Sequence, residues 1–156
     1  MTPVRGQPHA TAEHEAHASN GVTARQLLFA QFTLLAITAS LYFLGFALYL
    51  YWVFWWYDIV LHVFGGAWAA LAMMWVFAAF GKTHAGTSLI GIVIVIGIAW
   101  ELFEGLIGAP RESKYLFDTS LDLLMDVFGA LFALWIVNRR TRRDEREKHD
   151  TILIHD

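Results

Sequence analysis

Four apolar runs, approximately 27–50, 59–80, 87–107 and 119–138, constrain this chain more than any other feature. Each is long enough to cross a hydrocarbon core of about 30 Å, which takes roughly 20 residues of helix. Backbone polar groups find no water in lipid, so such runs fold as helices that pair their own N–H and C=O groups. With 156 residues, 57% of them hydrophobic, little chain is left for anything else. The expected fold class is therefore all-α: a polytopic membrane protein with four transmembrane helices in one domain, residues 25–138.

The flanks read differently. Residues 1–24 are polar and rich in Ala, Thr and His, and read as a disordered cytoplasmic tail. His9, His14 and His17 with Glu13 and Glu15 offer weak chelation at most within it. Residues 139–156 form a basic tail, with Arg139, Arg140, Arg142, Arg143, Arg146 and Lys148 expected on a prolongation of the last helix. Four spans put both termini on one side, together with the short loop bearing Lys82 and His84. That side then carries nine Lys or Arg against two, Arg111 and Lys114, on the other face. The positive-inside rule places both termini in the cytoplasm. No secretory signal is evident, because the first apolar run is too long for one and leads straight into another span.

Ionisable residues are out of place in such spans, at about 2.5–3.5 kcal/mol each on insertion scales. Yet Asp58 and His62 open the second run, Glu101 and Glu104 close the third, and Asp118, Asp122 and Asp126 open the fourth. The topology brings all of them to the outer ends of their helices. At 1.5 Å per residue, His62, Glu101, Glu104 and Asp122 fall roughly 5–10 Å below the outer boundary, with Asp126 near 12 Å. Spacings of three and four residues put each set on one helix face. The same faces carry Gly65, Gly66 and Ala69, and Gly129, Ala130 and Ala133, small residues that let membrane helices approach closely.

Six carboxylates and an imidazole in one small volume cannot all stay charged and unpaired, so either several protonate or a cation neutralises them. Oxygen ligands with one His suit Mg, Mn, Fe or Zn. In a metal reading, His62, Glu101, Asp122 and Asp126 are ligands and Glu104 is a ligand or general base, the catalytic candidate. Asp58, Asp118 and Arg111 are secondary candidates. Blander roles stand beside these: Asp58 and Asp118 as helix N-caps, Glu104 snorkelling to water, His62 as a packing residue, Arg111 as a solvated loop charge. The aromatic stretch Tyr51–Tyr57 suits the headgroup boundary as an interfacial belt. There are no cysteines, which excludes thiolate ligands and disulfides. No phosphate loop, nucleophile elbow or zincin motif is present, and no nucleic-acid partner is expected.

Three strings carry a family resemblance: Tyr57-Asp58-x-x-Leu61-His62-x-x-x-Gly66, Trp100-Glu101-x-x-Glu104, and Asp118-Thr119-x-x-Asp122-x-x-x-Asp126-x-x-Gly129-Ala130. Over about residues 28–138 the chain resembles the YjdF-type bacterial inner-membrane family. It is more distantly similar to VanZ-like proteins, whose pattern Glu101, Arg111, Asp122 and Gly129 fit. Asp126 stands where that pattern has Asn, and Glu104 where Gln is common. The resemblance implies a bacterial inner-membrane location.

Three functions compete at this point. One is a metal site opening outward, acting on a lipid-linked or envelope substrate. Another is a non-catalytic accessory or assembly subunit of a membrane complex, or a homo-oligomer, with its acids buried as interhelical partners. The third is a proton or cation transporter, which the absence of acids from the inner halves of the spans argues against.

Overall fold

The computed structural model describes residues 22–82, 86–107 and 115–155. The described residues are helical, with no strand among them, in the order α1 (Ala24–Ala47), α2 (Leu50–Val53), α3 (Tyr57–Ala79), α4 (Gly86–Ile107) and α5 (Tyr115–His155). α1, α3, α4 and α5 are each long and apolar enough to cross a membrane. Of the expected tail at residues 1–24, residues 1–21 lie outside the described residues, as do His84 and the loop carrying Arg111 and Lys114, whereas Thr23 and Ala24 cap and open α1.

Local chemistry sets the boundaries. α1 begins at a capping box, in which the Gln26 N–H donates to Thr23 Oγ1 and the Thr23 N–H donates to Gln26 Oε1. That reciprocal pair satisfies two of the donors a helix start leaves open. At its other end, Tyr49 takes a left-handed φ of 57° just past the Leu48 cap, a position where Gly is usual. The chain reverses there into the single turn of α2 and then into α3. α5 runs unbroken through the arginines at 139, 140, 142 and 143, so the basic segment does prolong the last span.

α3 is the central helix. It packs along α5 most extensively, then along α1, and more lightly on α4, while α5 also packs on α4. The backbones of α1 and α4 do not approach closely among the described residues. The core is built from small side chains on the seam between α3 and α5, Ala67, Ala70, Ala130 and Ala133 among them, filled out by Leu27, Met74, Leu89, Val93 and Leu134. Packing and interhelical polar contacts hold helices together in lipid, where no hydrophobic force acts between them. Close approach is therefore the source of stability, and two glycines permit it. A Cβ on Gly66 would collide with the backbone of Asp126, and one on Gly129 with the backbone of Val63. These reciprocal contacts lock the register of α3 against α5 beside the acid-bearing turns.

Candidate functional site

The α3–α5 seam carries His62 and Asp122 into contact range, and α4 brings Glu101 from the other side. His62 Nε2 lies 3.9 Å from Asp122 Oδ1 and 4.0 Å from Glu101 Oε1. Its other nitrogen, Nδ1, lies 3.3 Å from Asp126 Oδ1. Three helices thus meet at one imidazole, and His62, Glu101, Asp122 and Asp126 are all buried. Asp58, one turn before His62, completes a second grouping: one ligand atom each from Asp58, His62 and Asp122 lie within 4.8 Å of one another.

The two faces of the imidazole differ. With its proton on Nδ1, the ring donates to Asp126 and leaves the Nε2 lone pair directed at the Asp122 and Glu101 carboxylates. This is the arrangement in which metal-binding histidines are usually held, one nitrogen anchored to a carboxylate and the other free to ligate. Glu101 is split in the same way. Its Oε2 accepts a hydrogen bond from Thr119 Oγ1 at 2.8 Å, while Oε1 is buried with no hydrogen-bond partner. An acceptor stripped of water and left unpaired costs about 1–3 kcal/mol, more when charged, so this oxygen calls for a proton or a cation.

Glu104 sits a turn beyond Glu101, half-buried, and accepts from Trp100 Nε1 at 3.0 Å. Asp58 is not an N-cap: α3 starts at Tyr57 with Trp56 in the cap position, and Asp58 lies in the first turn. Asp118 likewise lies in the first turn of α5, inside the helix that begins at Tyr115. Both carboxylates therefore favour their helix starts through the N-terminal dipole rather than by capping. Asp118 is half-buried beyond the cluster, and Arg111 is outside the described residues.

Several contributors escaped the sequence reading. Thr119 holds Glu101, although it stands beside Asp118 in a string already singled out. Gly97, four residues before Glu101, faces Asp126; a Cβ there would lie 2.6 Å from Asp126 Oδ2. The aromatic stretch divides: Trp52, Val53, Phe54, Trp55 and Trp56 are exposed, whereas Tyr51 and Tyr57 turn inward. Tyr57 is buried and donates its hydroxyl to the Leu41 carbonyl at 2.6 Å, tying α3 to α1. Tyr51, on α2, lines the cavity beside the acids. Burial, and then the charge of Asp58, raise its phenol above the ordinary tyrosine value, which keeps it a neutral hydrogen-bond donor.

That cavity, of about 250 Å³, lies between α1, α3 and α4, with Tyr51 of α2 and Asp126 of α5 reaching its wall beside Asp58, His62 and Glu104. Its remaining lining is largely apolar or aromatic, including Leu35, Tyr42, Trp68, Val93 and Ile96. Away from the site, the buried core of described residues is apolar through Ala70, Met74, Leu89 and Leu134, with Gln31 of α1 a buried polar side chain.

No curated protein and no solved structure matches this chain. One family does, over residues 21–143, a stretch that takes in the four apolar helices and every acid of the site. The chain belongs to the membrane-protein family described as "Predicted membrane protein (DUF2238)".

Proposed function

We propose that this protein holds a divalent cation between α3, α4 and α5 and uses it on a lipid-linked or envelope substrate. The observation that carries this reading is the buried, unpartnered Glu101 Oε1 facing His62 Nε2, beside the Asp58–His62–Asp122 grouping. In this reading His62 Nε2, Asp122, Glu101 and Asp58 are the ligands. Ligand atoms around one ion bound at 2.0–2.2 Å sit about 3–3.5 Å apart, closer than the 3.9 Å, 4.0 Å and up to 4.8 Å here, so the side chains would have to draw in on binding. Oxygen ligands with one imidazole suit Mn, Fe, Zn or Mg. Asp126, expected from sequence as a ligand, acts instead on Nδ1 as a positioning residue that orients the ring. Glu104, in the cavity wall, would be the general base, with a bound divalent ion supplying Lewis acidity.

The charge distribution supports cytoplasmic termini and a site in the outer leaflet, and the family resemblance supports a bacterial inner membrane. The similarity to YjdF-type and VanZ-like proteins is consistent with that placement. A second reading, an accessory subunit with structural acids, draws on the Thr119–Glu101 hydrogen bond between α5 and α4, which is the kind of polar contact that joins membrane helices.

Elemental analysis separates the two. Wild-type protein purified in detergent without chelator should carry near-stoichiometric metal, and Asp122→Asn should carry little. Metal-free wild type, with Asp122→Asn melting well below it, would point to packing instead.

A further inference from the structure

We infer that the cavity between α1, α3 and α4 binds an organic ammonium ion, a protonated amine carrying a linear apolar tail. The inference goes beyond the metal reading and does not rest on it.

The charge of the wall calls for a cation. Asp58, Glu104 and Asp126 line the cavity, with no Lys or Arg among its described lining residues. Asp126 is 6% exposed; its Oδ1 meets His62 Nδ1, and its Oδ2 has no hydrogen-bond partner among the described residues. That second oxygen lies beside Gly97, which also lines the cavity. A Cβ on Gly97 would come within 2.6 Å of it, so the missing side chain is what leaves the oxygen open. Glu104 is divided in the same way, one oxygen accepting from Trp100 Nε1 and the other without a partner among the described residues. A buried acceptor without a donor is costly, and the N–H groups of an ammonium ion supply both donor and countercharge.

The rest of the wall decides which kind of cation. A hard inorganic ion takes oxygen ligands all round, whereas here carboxylates hold only part of the wall. Tyr42, Tyr51, Trp68 and Trp100 supply aromatic rings, whose quadrupoles attract organic cations. Leu35, Val93 and Ile96 supply apolar surface for a tail. Glu104 and Val93 both line the cavity and stand about 16 Å apart along α4 at 1.5 Å per residue. A volume of about 250 Å³ spread over that length is narrow, and it suits a linear tail. Asp58 in the first turn of α3 and Glu104 in the last turn of α4 put charge at the helix ends, with Val93 and Leu35 deeper. Tyr42, Ile96 and Trp100 are exposed as well as lining the cavity, so it reaches the protein surface.

The test is a calorimetric titration of full-length protein in maltoside detergent, which carries no ammonium group, with chelator present so that metal plays no part. The probe is n-pentylamine, protonated at neutral pH like a lysine side chain, and its neutral isostere 1-pentanol is the comparison. Wild type should bind the amine saturably and at least about tenfold more tightly than the alcohol. Glu104→Gln removes a charge at constant shape, and Thr38→Phe fills the cavity from α1, a helix without carboxylates. Each should weaken amine binding at least about tenfold. Gly65→Leu narrows the opposite wall, where a Cβ meets only Asp126 Oδ1 at 3.8 Å, and replaces Thr38→Phe if that variant melts early. Wild-type affinity in both Glu104→Gln and a cavity-filled variant overturns the site, as does the absence of saturable binding to wild type. Equal affinity for amine and alcohol overturns the cationic ligand. Added phosphatidylethanolamine then separates two sources of the same chemistry: competition assigns the ammonium to a lipid headgroup, and no competition assigns it to a free amine.

Discussion

The seam between α3 and α5 and the gap between α1 and α4 are built from similarly apolar helices, yet they behave as opposites. In the seam, Gly66 and Gly129 each press on the partner's backbone, so the helices are as close as main chains allow. α1 and α4 do not approach closely among the described residues, and on the exposed face of α4 glycine confers nothing: a Cβ on Gly91 would touch no atom within 4 Å. Hydrophobicity is shared by both regions and explains neither. Placement of small residues decides which faces of a membrane bundle close and which stay open to lipid. Here the closed seam fixes the ionisable groups, and the cavity beside it has Asp58, His62, Glu104 and Asp126 in its wall.

The contrast can be broken by substitution, and the effects should fall in a definite order. Gly66→Leu or Gly129→Leu should be the most damaging, since the added atoms meet backbone that cannot rotate away. We expect a loss beyond about 3 kcal/mol, the upper end for overpacking, seen as aggregation or a lowered melting temperature in detergent. Asp126→Asn comes next. It keeps the packing against Gly66 but weakens the hold on His62 Nδ1, and should lower metal affinity about 10–100-fold in competition with a chelator. Gly91→Leu should be smallest, within about 0.5 kcal/mol of wild type in the same melt. Equal damage from Gly91→Leu and Gly66→Leu would erase the distinction between the seam and the exposed face of α4.

The parts of this molecule that could be read in advance are those written in local pattern. The four spans follow from run length, and the structure shifts their ends by only a few residues, for example from 27–50 to Ala24–Ala47. Convergence of the acids was legible because span count fixes depth, and depth brought three separated segments level. What stayed hidden depends on rotation about helix axes and on side-chain torsion. Nothing local indicates that Asp126 meets Nδ1 while Asp122 and Glu101 meet Nε2. The N-cap alternative for Asp58 failed because α3 starts earlier, at Tyr57, whose ring is buried and whose hydroxyl reaches back to α1. Tyr51 and Tyr57 looked like their exposed Trp neighbours; only the turn through Tyr49 and α2 directs them inward. The gap had no sequence signal at all, because it is a close approach that α1 and α4 do not make.

Pulsed electron paramagnetic resonance on manganese-loaded protein tests most directly whether His62 ligates a metal through Nε2. Ligation by His62 gives nitrogen couplings from one imidazole in the wild type, retained in Gly91→Leu and lost in His62→Gln. Bound manganese with no imidazole coupling, or a coupling unchanged by His62→Gln, would contradict it.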